Sequence, residues 1–148
     1  MSSFITFGGY RNRKRLTRDA IDWFMDYMGL GKFVTWIHVV DRRCQGEGYD
    51  GCCTNADNLY RPREFEIELD NRMDEKEYLV TLFHELIHIE QRLRQRHQHR
   101  VAYLKRGGTV WQGEFYDGDT PYDDQPWEVE AFAKQYTIYE EYAKLRKP

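Results

Sequence analysis

The chain has 148 residues, 32% of them charged and 16% aromatic, with a net charge of −3. That length suits one domain with a real core, expected here to span residues 1–148. The balanced charge excludes a disordered chain, and no apolar run reaches membrane-spanning length.

The first residues, Met1 to Phe7, read as too short and too polar for a signal peptide. A basic cluster follows, with Arg11, Arg13, Lys14, Arg15 and Arg18. The first helix is expected to be capped by Thr17, to bury Ala20, Ile21, Phe24, Met25 and Met28, and to stop at Gly29. Phe33 to Val40 is apolar on both faces apart from Thr35 and His38, the mark of a central strand. Residues 44–62 are rich in Gly, Asn, Asp and Cys and read as a long loop or irregular hairpin. Three cysteines, Cys44, Cys52 and Cys53, without an export signal suggest reduced thiols in a cytoplasmic protein. From Glu64 to Leu69 the pattern alternates, with Phe65, Ile67 and Leu69 inward and three glutamates outward; this suits an edge strand.

Asp74 to Gly107 reads as one long helix with Asp74 as N-cap and Glu77 completing a capping box. Leu79, Leu82, Leu86, Ile89 and Leu93 make its apolar stripe. Within it lies His84-Glu85-Leu86-Ile87-His88. On a helix the two imidazoles lie one turn apart on one side, where both can grip a metal ion. Glu85 stands beside them, placed to take a proton from a water that the metal activates. Six basic residues and no acidic one fall between Arg92 and Arg106. An acidic loop with Glu114, Asp117, Asp119, Asp123 and Asp124 leads to Pro126, which suits the first position of a helix. That last helix is expected over Trp127 to Leu145, with Val129, Phe132, Ala133, Tyr136 and Ala143 facing inward.

Four residues compete to be a third metal ligand: His97, His99, Glu128 and Glu130. On an unbroken helix His99 lies about 16 Å along the axis from His88, too far for a shared ion, and His97 fails for the same reason. On the last helix, at about 100° per residue, Glu128 lies roughly 75° from the expected apolar centre and Glu130 roughly 125°. Glu128 is therefore the expected ligand.

The order of helix, strand, edge strand, motif helix, loop and glutamate-bearing helix resembles the zincin metallopeptidases. Within them it resembles the gluzincin branch, and in size the minigluzincins, small stand-alone proteins of the kind found in phages and bacteria. Glu128-Val129-Glu130-Ala131 is similar to the Glu-x-x-Ala pattern of several zincin families, the ImmA-like peptidases among them. Gln91 and Arg94 stand where the metzincin extension has Gly and His, and Phe132 stands where thermolysin-type enzymes have Asp. SprT-like proteases use a further histidine after a helix break, and the pattern gives no break here.

The resemblance implies an α+β, zincin-like fold with a small, mostly antiparallel or mixed sheet. It implies a Zn²⁺-dependent peptidase, with His84, His88 and Glu128 as ligands and Glu85 as general base. Its peptide or protein substrate would lie along the strand at 64–69. Tyr122, Tyr136 and Tyr139 are candidates to stabilise the oxyanion. A second reading is a nucleic-acid-associated protein, because residues 10–18 and 92–106 hold eleven of the 22 Lys and Arg; solvated basic faces are the preferred account of those runs. A third is a zinc-stabilised binding module without turnover.

Overall fold

A computed structural model describes residues 3–9, 13–43, 50–57, 59–99 and 108–146. The fold is α+β. A four-stranded mixed sheet is built from β1 (Ser3–Gly9), β2 (Thr35–Arg42), β3 (Gly51–Asn55) and β4 (Glu64–Asp70), in the order β1-β2-β4-β3. The first three neighbours in that order run parallel, and β3 pairs antiparallel with β4. Helix α1 (Lys14–Tyr27) joins the parallel pair β1 and β2. Helices α2 (Glu75–Leu93) and α3 (Pro126–Arg146) follow, separated by a small antiparallel sheet of β5 (His97–His99), β6 (Gly108–Trp111) and β7 (Glu114–Asp117). No helix among the described residues is long and apolar enough to cross a membrane.

Helix α2 is the axis of the molecule. From Tyr78 to Leu93 every residue except Thr81 is buried, so it is covered on all sides rather than along one stripe. Leu79, Leu82, Phe83, Leu86, Ile87 and Ile89 join one core with Ile37 and Val39 of β2, Phe65 and Ile67 of β4, Ile21 and Phe24 of α1, and Ile138 and Tyr142 of α3. Its start is as read from sequence: the Asp74 carboxylate accepts from the Glu77 amide at 2.8 Å.

Several expectations are corrected. Strand β4 is not an edge: it lies between β2 and β3, and β3, taken from the Cys-rich stretch, forms the edge beside α2. Strand β2 is buried on one face only, and Trp36 on the other is 45% exposed. Helix α1 begins before Thr17, whose hydroxyl is buried against Tyr78 Oη at 2.9 Å instead of capping. The long helix does not reach residue 107. It ends at Leu93, where Gln95 turns to φ 59°, the Arg96 amide reaches Gln91 O at 2.8 Å and the Gln95 amide reaches Arg92 O at 3.1 Å. This is a left-handed helix stop made by glutamine where glycine is usual. Helix α3 buries Trp127, Ala131, Gln135, Ile138 and Tyr142, while Val129, Phe132 and Tyr136 are each more than half exposed.

Candidate metal centre

His84 and His88 project from consecutive turns of α2, and Glu128 reaches them from the first turn of α3. His84 Nε2 lies 3.0 Å from Glu128 Oε1, His88 Nε2 lies 3.2 Å from the same oxygen, and the two Nε2 atoms are 3.3 Å apart. This is the one group of His, Cys, Asp or Glu side chains among the described residues that could hold a metal ion.

The outer nitrogens fix which lone pairs face inward. His88 Nδ1 is 2.9 Å from Gln91 Oε1. The orientation of Gln91 is set by its own Nε2, which donates to Trp127 O at 3.0 Å and to Glu130 Oε1 at 3.1 Å. A carboxamide oxygen only accepts, so Nδ1 carries the hydrogen and the neutral ring presents a bare Nε2. Gln135 Oε1 stands 2.7 Å from His84 Nδ1 and orients that ring in the same way. Two imidazole lone pairs and a carboxylate oxygen therefore converge on one point, an arrangement that repels itself until a cation or a proton enters. Three ligands of a tetrahedral ion at about 2 Å would stand roughly 3.3 Å from one another, close to the spacings observed. The donor set fits a divalent transition metal.

The electrostatics carry the same imprint. Burial disfavours the His84 imidazolium, yet the hydrogen bond to Glu128, the charge of Glu85 and the hydrogen bond to Gln135 outweigh it and raise its pKa above the ordinary value. Burial also opposes the charge of Glu128, but its bonds to both histidines hold the carboxyl far below the usual range. Glu85 is different. It is 6% exposed and makes no hydrogen bond among the described residues, and burial pushes its pKa up against the lowering pull of His88 and His84.

These groups line a cleft of about 1010 Å³. Its walls are the edge strand β3, with Gly51, Cys52 and Cys53, and helix α3, with Phe132, Gln135 and Tyr136; Tyr122 stands at its rim. Tyr122 donates to Glu128 Oε1 at 3.0 Å, and the Phe132 ring packs edge-on against His84 at 4.6 Å. Of the three tyrosines considered from sequence, Tyr122 and Tyr136 line the cleft and Tyr139 does not.

Glu130 and His97 have other places, and the His99 side chain lies outside the described residues. Glu130 binds Gln91 and takes two hydrogen bonds from Arg96, at 2.6 and 2.8 Å. His97 is buried in β5, stacked on Trp127 at 4.4 Å. It is outside the cluster because the chain turns away into a strand, not because the helix continues. The two histidines are oriented by Gln91, noted from sequence only as a departure from the metzincin pattern, and by Gln135. A glutamine three residues after the second histidine was the available signal for the first; nothing local marks the second.

Three of the six basic residues in the 92–106 run are described, and each has partners within the fold. Arg92 is buried, Arg94 pairs with Glu90 at 3.5 Å, and Arg96 pairs with Glu90 and Glu130. Arg11, Cys44, Arg100, Lys105, Arg106 and Gly107 lie outside the described residues. Comparison with models of protein families, with curated proteins and with solved structures finds no match to the chain.

Proposed function

We propose that the protein is a zinc-dependent metallopeptidase of the gluzincin kind. The observation that carries this reading is the convergence of two oriented imidazole lone pairs and a carboxylate, with a buried, unbonded Glu85 one residue from the first ligand. Element order, the His-Glu-x-x-His helix and a glutamate on a later helix support the same superfamily.

His84, His88 and Glu128 would hold the ion. Bound there, zinc supplies a Lewis acid that lowers the pKa of water toward neutrality and polarises a carbonyl. Glu85, its pKa raised by burial, accepts the proton of the attacking water and returns it to the leaving amine. Tyr122 lies within hydrogen-bond distance of the ligand carboxylate and carries a phenol whose pKa burial raises, so it stays a donor for oxyanion stabilisation at neutral pH. Among the described residues β3 is the sheet edge that lines the cleft, and an extended peptide could add to it as a further strand beside the Cys53 carbonyl that Arg92 holds. A peptide is favoured over nucleic acid because the edge strand β3 lines the cleft, and Arg94 and Arg96 of the basic run already pair with Glu90 and Glu130.

The test is cleavage of a broad peptide library, read by mass spectrometry, at matched zinc content. Wild type should hydrolyse members of the library. Glu85→Gln should bind zinc equally and lose at least about a hundredfold in rate. Equal cleavage by both proteins would remove Glu85 from the role of base. Full metal occupancy with no cleavage by either would leave a zinc-stabilised binding module.

A further inference from the structure

We propose that Arg92 is the anchor of this cleft for a substrate carboxylate, so that the preferred peptide carries a negative charge within a few residues of the reacting bond. The inference rests on the peptidase reading for its biological meaning, but the anion site can be tested without turnover.

Arg92 is 8% exposed and lines the cleft with His84, Glu85 and His88. It lies one helical turn beyond His88, about 6 Å along the axis, or roughly two residues of extended peptide. Its hydrogen bonds all go to neutral acceptors through Nη1: Cys53 O at 3.3 Å, Cys53 Sγ at 3.4 Å and Asn55 Oδ1 at 3.1 Å. Nε is buried with no hydrogen-bond partner. Among the described residues no carboxylate forms an ion pair with it, in contrast to Arg94 and Arg96 on the same segment. The Glu85 carboxyl of the same cleft feels the charge of Arg92, yet no carboxylate among the described residues pairs with it directly; a buried guanidinium so placed is costly, and fastening β3 to α2 does not require a charge. Gln91 makes the equivalent bridge to Trp127 O with a neutral amide. The planar fork of arginine matches a carboxylate, which would bring a directly paired charge.

The rest of the cleft has the complementary polarity. Asp50, Asp74 and Glu77, with Lys76, line it toward the start of α2. Strand β3 runs in the direction of α2, since Gly51 abuts Thr81 while Cys53 meets Arg92. A peptide adding antiparallel to β3 would bring residues N-terminal to the reacting bond toward Arg92, and the carboxylate would then be an acidic side chain. Parallel addition would bring the C-terminal carboxylate there instead.

Three tetrapeptides separate these cases: acetyl-Glu-Ala-Ala-Ala-amide, acetyl-Ala-Ala-Ala-Ala with a free carboxylate, and the neutral acetyl-Ala-Ala-Ala-Ala-amide. Each is titrated into the protein with and without zinc at constant ionic strength. Binding is followed by the Arg92 Nε–H resonance, and peptide integrity is checked by mass spectrometry. One charged peptide should shift that resonance saturably and bind about tenfold more tightly than the neutral one. Which peptide does so identifies the carboxylate. The preference should vanish in Arg92→Gln and survive in Asn55→Ala, which removes a fastening contact but keeps the charge. Equal affinities of all three peptides for wild type, or an unmoved Arg92 resonance, would overturn the proposal whether or not the variants fold. A carboxylate preference in a protein that cleaves nothing would sink the peptidase reading alone.

Discussion

At the scale of single residues, two glutamines orient the histidines of the candidate metal group. Gln135 accepts from His84 Nδ1 and thereby turns Nε2 toward Glu128. Groups that hold a ligand in one tautomer typically contribute 10–100-fold to metal affinity. Gln135→Ala should therefore weaken zinc binding by about that factor in a competitive chelator titration. Unchanged affinity would mean that the packing of Phe132 against the ring suffices to orient it. His84, Glu85 and His88 were legible in the sequence because one helical turn sets their relation. Glu128 was chosen on a mistaken face. Its helix buries Trp127, Ala131 and Gln135, and Glu128 adjoins that stripe. Phe132 and Tyr136 misled the pattern because they wall a cleft, and residues lining a cleft are apolar yet exposed. Periodicity does not separate that environment from the core.

At the scale of elements, the abrupt end of α2 makes the site possible. The turn at Gln95 brings Arg96 back between the two helices, where it binds Glu90 of α2 and Glu130 of α3. No glycine or proline marks this stop, so the sequence suggested a helix continuing to Gly107. Arg96 pairs with Glu90 six residues back and with Glu130 of α3, and the second pair is one that a local pattern does not contain. Burial works against the charge of Glu130, but its hydrogen bonds from Arg96 and Gln91 prevail and lower its pKa. A carboxylate lowered in this way stabilises the folded state above its unfolded value of about 4.3, and that contribution disappears as pH falls through the folded value. Arg96→Ala leaves Glu90, with 2% of its side chain exposed, without this partner and should cost roughly 2–4 kcal/mol at pH 7. Urea unfolding should show the gap between wild type and variant narrowing below about pH 4. A gap independent of pH would assign the loss to packing of the arginine stem instead. Strand β3 fits the hairpin alternative for residues 44–62, since it pairs antiparallel with β4; the pattern left that choice open because glycine and asparagine are weak strand formers.

At the scale of the whole molecule, the centre joins two helices that the chain separates by the small sheet β5-β6-β7. An ion held by α2 and α3 together binds only the folded chain and adds to its stability. At a thousandfold excess over the dissociation constant that addition is about 4 kcal/mol. The melting temperature should fall when a chelator strips the protein, and zinc should restore it in wild type but not in Glu128→Ala. The motif helix was legible from periodicity, and the α+β class followed from the resemblance that its motif carries. The sheet order was not legible, because the pairings of β1 with β2 and of β2 with β4 are parallel and join segments far apart in the chain, the second across the Cys-rich stretch.

The most direct measurement is the zinc content of purified protein by elemental analysis, comparing wild type, Glu85→Gln and Glu128→Ala after equilibration with buffered zinc. The account predicts close to one zinc per chain in wild type and in Glu85→Gln, and little in Glu128→Ala at the same free zinc. Full retention of zinc by Glu128→Ala, or none in wild type, would contradict it.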